Sequence, residues 1–293
     1  MFYEAHGDSV KIARMYMDSL LVEGRVVGAV RPDTAFRFLG ETFRMPIMTA
    51  ALSHLDLVSM AEGAKQAGAC VSIGMGGNEE FGKVLATGAK VMKIIKPYAD
   101  EKEIMSRLEY AEEHGAIAVG MDVEHAVNVD DAEDSVVVGL QMKQPTLEEL
   151  ERYISATKLP FFIKGTLSAQ DALRCRDLGA AGLVLSHHNG LLRYAVPPVM
   201  ILPEIRKAVG KDLILIADGG IESGFDAFKA LARGADAVTM GKALMEPLKA
   251  KGAEGVREVL EKVAGQLQAM MIRTGTKDLK HMDPTVIHET MRF

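Results

Sequence analysis

Eight short apolar runs, each followed by an amphipathic stretch, constrain this chain more than any other feature. They are PIMTAAL (46–52), ACVSIG (69–74), VMKIIKP (91–97), AIAVGMD (116–122), PFFIKG (160–165), GLVLSHH (182–188), LILIADG (213–219) and AVTMGK (237–242). Runs this short and this apolar suit strands buried on both faces, which need a crossover helix to reach a parallel neighbour. Eight such units predict an α/β fold of the (β/α)8 TIM-barrel type, in a single domain. An open dinucleotide-binding sheet would use fewer strands and a G-x-G-x-x-G turn, which the chain lacks. A partly helical N-terminal segment is expected over 1–45, the barrel over 46–280 and a tail over 281–293. The stretch 253–273 is strongly amphipathic and is expected to form the last helix.

Composition narrows the function classes. Of 293 residues 48% are apolar, ample for one large core, and the net charge of −6 with scattered cations argues against a nucleic-acid surface. Cys70 and Cys175 are too few for a disulfide framework and lack metal-ligand spacing, so no metal is expected and both read as packed thiols in a reducing cytoplasm. No apolar run reaches the roughly 18 residues of a membrane span. The start, MFYEAHGDSVKIAR, has no hydrophobic block of the secretory kind. Eighteen methionines without a tryptophan read as adaptable core filler.

In a barrel of this type the chemistry sits at the C-terminal strand ends. Those ends carry Asp122, Lys164, His188, Asp218 and Lys242 on strands four to eight, with Lys93, Lys96 and Arg193 nearby. Ionisable groups at five successive ends point to one shared site. The stretch DLILIADGGIESGFDAFKALARGADAVTMGK (212–242) adds a glycine turn before a helix and a Gly-Lys pair at the last strand, where backbone N–H groups of Gly219, Gly220 and Gly241 can hold a phosphate beside Lys242. Asp218 suits sugar-like hydroxyls, and Lys164, deeper, suits negative charge on a ring. His188 is the natural general base, with Asp122 to orient it and stabilise its imidazolium. The polar stretch HAVNVDDAEDSVVVGLQMKQP, after Asp122, reads equally as a lid or as an acidic surface excursion.

At these residues the chain resembles the FMN-dependent α-hydroxy acid oxidases and dehydrogenases (glycolate oxidase, lactate oxidase) over roughly 30–280. The most specific segments are PFFIKGTLSAQDALRCRDLGAAGLVLSHHNG and LILIADGGIESGFDAFKALARGADAVTMGKAL, followed by GAEGVREVLEKVAGQLQAMMIRTG. The resemblance implies an FMN-binding barrel and a homo-oligomer oxidising a small 2-hydroxy acid or related hydroxylated anion, with His188 taking a proton from the substrate while a hydride equivalent passes from substrate to flavin N5, and with an unidentified electron acceptor. It implies that Lys164 contacts the flavin N1/O2 region and that Ala50, Ser72 and Ser186 join Asp218, Gly219, Gly220, Gly241 and Lys242 in holding the cofactor. The family's Ser-Asn-His-Gly-Gly motif reads Ser186-His187-His188-Asn189-Gly190 here.

Departures concentrate on the substrate side. The carboxylate-gripping arginine after the base is Leu191, and the arginines after the glycine turn are Glu222 and Ser223. Lys242 replaces an arginine. A flavin-contacting threonine becomes Gly120, and the strand-three glutamine and tyrosine fall at Ile94 and Lys96. Losing a bidentate clamp weakens carboxylate binding, for which Lys96 or Arg193 are the compensating candidates. Three other readings follow: an FMN-binding barrel that has lost hydroxy-acid oxidation, an FMN-dependent isomerase, and a flavin-free sugar-phosphate barrel.

Overall fold

The computed structural model describes residues 5–130 and 132–290. Helix α1 (Ser9–Ser19) leads into the short strands β1 (Leu20–Val22), β2 (Phe36–Phe38) and β3 (Glu41–Phe43). The barrel then begins with β4 (Ile47–Thr49), α2 (Leu57–Ala67), β5 (Val71–Ile73), α3 (Asn78–Ala86), β6 (Val91–Ile95), α4 (Glu101–Glu113) and β7 (Ala118–Asp122). A 3-10 turn, Val123–Ala126, and a small hairpin, β8 (Val136–Val137) and β9 (Leu140–Gln141), interrupt the alternation. It resumes with α5 (Leu147–Ser155), β10 (Phe161–Lys164), α6 (Ala169–Asp177), β11 (Gly182–Leu185), α7 (Pro198–Val209), β12 (Ile214–Asp218), α8 (Gly224–Ala232), β13 (Ala237–Met240) and α9 (Lys242–Arg273). Strand β14 (Ile287–Glu289) lies beyond.

The eight expected apolar runs each contain one strand of a parallel sheet ordered β4-β13-β12-β11-β10-β7-β6-β5. The ends meet where Leu52 bridges Ile73 and the Gly74 N–H donates to the Leu52 carbonyl at 2.9 Å, closing the barrel. Helices cover the outside, so both faces of every strand are buried, which is why the runs show no polar alternation.

Period-two alternation divides each strand between two cores. Met48, Cys70, Met92, Ile94, Ala118, Phe162, Val184, Ile216 and Ala237 fill the barrel interior, and Phe36, Phe38 and Phe43 of the β2–β3 hairpin pack into the same cluster. Their neighbours in sequence, such as Val91, Val119, Ile163, Leu183 and Leu215, pack outward in the larger cluster shared with the helices. Further along the interior face come Ser72, Lys96, Lys164, Ser186 and Asp218, each two residues on, and Asp122, four residues beyond Ala118. The polar ends are thus the top layer of a filled barrel. Lys93 has the opposite parity: its ammonium donates to the Gly74 carbonyl at 2.7 Å and lies 5.2 Å from the Phe81 ring, away from that layer. Burial pulls its pKa down to about 8.

Near the two ends of the described residues, a two-stranded sheet forms apart from the barrel. Strand β14 pairs antiparallel with β1, matching Leu20 with Glu289. The expected helix over 253–273 is the second half of α9, which breaks at Gly252, where φ of 58° suits a residue without a Cβ. Among the described residues no helix is long and apolar enough to cross a membrane.

Phe162 fills the middle of the barrel and its neighbours are glycines for that reason. A Cβ on Gly182 would lie 2.4 Å from Phe162 Cε1 and 2.5 Å from the Ile214 carbonyl oxygen; one on Gly120 would lie 2.5 Å from the Phe162 carbonyl oxygen. Gly182→Ala should therefore cost about 1–3 kcal/mol of stability by overpacking, read as a lower urea midpoint in equilibrium unfolding.

Candidate active site

Three donors converge on a single oxygen at the top of the barrel. Asp122, only 1% exposed, presents Oδ2 to Lys96 Nζ at 2.9 Å, Lys164 Nζ at 3.3 Å and His188 Nδ1 at 2.6 Å. Its other oxygen is buried with no partner among the described residues. Burial alone would raise this carboxyl's pKa, but Lys164, His188 and Lys96 together hold it well below the usual range. Lys164 is likewise buried. Desolvation opposes its charge, yet Asp122, Asp218 at 3.9 Å and Glu124 hold its pKa above the ordinary lysine value.

The hydrogen bonds assign the His188 tautomer. Nδ1 lies 2.6 Å from the ionised Asp122 carboxylate, which has no proton to give, so Nδ1–H donates to Asp122 and Nε2 keeps the lone pair; Lys164 Nζ, 3.0 Å from Nδ1, is then a neighbouring charge and no donor to it. Desolvation and the nearby Lys164 and Lys96 charges outweigh Asp122 and leave the imidazole pKa below its ordinary value. At neutral pH it is therefore an uncharged base.

His188 and Asn189 both adopt left-handed backbone conformations, with φ of 43° and 56°, which non-glycine residues seldom take up unaided. The turn is held from two sides. The His188 N–H donates to Ser186 Oγ at 2.9 Å, and Ser186 Oγ donates to Asp218 Oδ2 at 2.8 Å. Thr239 Oγ1 donates to the other Asp218 oxygen at 2.7 Å, so Asp218 links β11, β12 and β13.

Glu124 and His125, just beyond Val123, complete the neighbourhood. Glu124 sits so close to Gly165 that a Cβ there would lie 2.6 Å from the Glu124 Cβ, and burial pushes the Glu124 carboxyl up to about 8. The His125 ring meets His188 edge-on at 4.6 Å, and burial pulls its pKa down to about 4.

A second group of donors lies along β12 and β13. Gly219 and Gly220 have φ of 129° and 74°. A Cβ on Gly219 would lie 3.3 Å from His187 Nε2. That imidazole accepts the Gly190 N–H through Nδ1 at 3.1 Å, so Nε2 carries its proton, buried and without a partner among the described residues. Helix α9 opens at Gly241 with no side-chain cap, and Lys242 is its first residue. Ala50 borders Gly241, whose missing Cβ would lie 3.3 Å from the Ala50 Cβ. Unused N–H groups at a helix start, a lysine and a buried imidazole N–H make a donor set for an oxygen-rich anion.

The residues expected from sequence therefore fall into groups. Asp122, Lys164, His188, Ser186, Asp218 and Lys96 form one connected network. Ala50, Gly219, Gly220, Gly241 and Lys242 lie along its β12–β13–β4 side. Ser72 lines the interior face, its backbone bonded to Thr49 Oγ1 at 2.8 Å. Lys96 is committed to Asp122 instead of being free for a ligand, and Arg193 stands apart, exposed and 3.4 Å from Asp130. Glu222 is exposed, and the guanidinium next to the glycine turn belongs to Arg14 of α1, which donates to the Gly220 carbonyl at 3.1 Å and to Asp226 at 2.8 Å. Thr239, Glu124, His125, His187 and Arg14 escaped the sequence reading. Parity two residues before Gly241 marks Thr239, and adjacency to Asp122 marks the Glu-His pair; nothing local marks Arg14.

Removing the Asp122 charge leaves buried Lys96 without its carboxylate and Lys164 with only Asp218, 3.9 Å away. Asp122→Asn should cost about 3–5 kcal/mol in equilibrium unfolding at neutral pH. Because the folded-state pKa is depressed, the wild-type contribution is fully present above the unfolded carboxyl value and is lost as pH falls through the folded one. The gap between wild type and variant should accordingly narrow in acid.

The profile of the FMN-dependent dehydrogenase family matches residues 7–142 and 126–289. An L-lactate oxidase of Alicycliphilus denitrificans is 38% identical over 160 residues, covering 54% of this chain and 43% of that relative. A 4-hydroxymandelate oxidase of Amycolatopsis orientalis is 42% identical over 135 residues, covering 46% of this chain and 38% of the relative. The chain's matches thus span less than half the length of these curated relatives. A mandelate oxidase structure with a monooxide FMN adduct superposes with a TM-score of 0.87 at 27% identity, over 98% of this chain and 92% of that one. The donors above fit FMN at both ends: a buried ammonium at Lys164, and the Gly241–Lys242 helix start with the His187 N–H beside the Gly219 turn. With matches over nearly its whole length, this chain belongs to the FMN-dependent dehydrogenase family.

Proposed function

We propose that this chain is an FMN-dependent oxidoreductase that oxidises the hydroxyl-bearing carbon of a small 2-hydroxy acid or a related hydroxylated anion. The observation that carries the reading is the His188 imidazole, its Nδ1–H fixed on Asp122 and its Nε2 lone pair left for a substrate proton. Bound FMN supplies the two-electron acceptor. Everything else belongs to the chain's own groups. His188 takes the proton at Nε2, and Asp122 stabilises the imidazolium that results. Lys164 keeps a permanent positive charge under the site. The Gly219–Gly220 turn, Gly241 and Lys242 hold the cofactor phosphate, and Asp218 with Ser186 holds its hydroxyls. The named activities of the L-lactate oxidase and 4-hydroxymandelate oxidase relatives support the substrate class.

A second reading keeps the cofactor and drops the oxidation. Leu191 stands where the sequence resemblance puts a substrate arginine, and Arg193 is turned toward Asp130. Anaerobic absorption spectra separate the two. In the first reading, lactate, glycolate, mandelate or a longer 2-hydroxy acid bleaches the flavin band. In the second, FMN binds and the band persists across the panel.

His188→Ala tests the base. The rate of flavin reduction should fall by about 10²–10⁴, while FMN affinity, followed by quenching of flavin fluorescence, stays near that of the wild type. Full turnover in this variant would sink the assignment. Lys242→Ala should do the reverse, weakening FMN binding several-fold with little effect on the reduction rate of the loaded protein.

A further inference from the structure

Asp122 carries two ammonium groups where one would balance it. Lys164 alone already pairs with this carboxylate from β10, yet Lys96 reaches the same Oδ2 from the end of β6, at 2.9 Å and with 5% of its surface exposed. Its direction is fixed by strand parity, since Met92 and Ile94 share its face inside the barrel. We propose that Lys96 is a positioning residue that keeps His188 neutral, and so competent as a base, by sharing the Asp122 carboxylate. This rests on the reading of His188 as the base.

The charges around His188 leave few alternatives. From β7 comes Asp122, which favours the imidazolium; from β6 and β10 come Lys96 and Lys164, which disfavour it. The 3-10 turn adds Glu124 and His125, both uncharged near neutral pH, since burial pushes the first up to about 8 and the second down to about 4. Asp218 on β12 accepts from Ser186 and Thr239 and sets its charge against Lys164, 3.9 Å away. His187, in the same loop, is bonded through Nδ1 to the Gly190 N–H and is neutral in that state. Next to His188, then, two lysines share the Asp122 carboxylate, with Asp218 behind Lys164. Removing Lys96 takes one positive charge from the imidazole's surroundings, so it binds a proton more readily. In a family where an oxidised alcohol gives its proton to this histidine, a base already protonated at working pH is inactive.

The test titrates His188 by NMR of its imidazole carbons in the full-length, folded chain, with and without FMN, assigned by loss of the signal in His188→Gln. Lys96→Met should raise the proton affinity of His188 about tenfold, and Lys96→Arg, which keeps the charge, should leave it near wild type. The acid limb of flavin reduction by an oxidisable hydroxy acid should move to higher pH by the same factor. Lys96→Gln replaces the methionine variant if circular dichroism shows that the latter is unfolded. An unmoved His188 titration in a folded, uncharged variant overturns the proposal, as does an equal rise in Lys96→Arg. The titration needs no turnover. A moved titration without bleaching by any hydroxy acid would therefore sink the oxidoreductase reading and leave the Lys96 assignment standing, while bleaching with an unmoved titration would do the opposite.

Discussion

A buried carboxylate that accepts three donors on one oxygen is the constraint on which the top of this barrel depends. Taking Asp122 out of water is unfavourable by several kcal/mol unless opposite charge and hydrogen bonds replace the lost hydration. Lys96, Lys164 and His188 do so together, and each comes from a different strand or loop. The cluster therefore fixes the relative positions of β6, β7, β10 and the loop after β11 at the place where the chemistry belongs. It also orients the imidazole: with Nδ1 committed to Asp122, only Nε2 can take up a proton.

Below that layer the same alternation serves packing. Phe162 fills the barrel where Gly120 and Gly182 give it room, and Lys164, two residues on, points the same way into the polar layer. A single strand, FFIK, thus supplies both the plug and the cation. Gly120, which from sequence reads as the loss of a flavin-contacting threonine, has a packing reason in the fold. The proposed phosphate side follows a different logic, with backbone N–H groups at Gly219, Gly220 and Gly241 beside Lys242 as its donors. That helps explain how Glu222 and Ser223 can replace arginines. Glu222 is exposed, and Arg14 reaches across from α1 to the Gly220 carbonyl.

Much of this was legible in the sequence. Buried parallel strands leave an unmistakable apolar signature, so all eight runs found their strands. Asp122, Lys164, His188 and Asp218 were legible because a barrel displays its strand ends. What escaped depends on contacts between distant segments. Arg14 lies 206 residues from the carbonyl it binds, and no local pattern marks it. Lys96 was noticed but read as a ligand for substrate, because sequence shows a lysine near the rim and not the carboxylate that claims it. Parity would have helped: in VMKIIK it puts Lys96 inside the barrel and Lys93 outside. The short strands and turns at either end, β1 with β14 and the phenylalanine hairpin, carry too few residues for any periodicity to show.

The substrate side is where electrostatics decide what kind of molecule this site can take. A bidentate arginine on the loop after the base would place a fork-shaped donor beside the substrate. Leu191 removes it, and Arg193 does not replace it, being exposed and paired with Asp130. The ammonium groups of the floor, Lys96 and Lys164, face two carboxylates, Asp122 and, 3.9 Å from Lys164, Asp218. Ammonium groups act as point charges, and these are already directed at Asp122, so neither offers a fork in place of the arginine. Glu124 and His125, two and three residues after Asp122, are held in their uncharged forms by burial, so they leave the charge balance around His188 undisturbed.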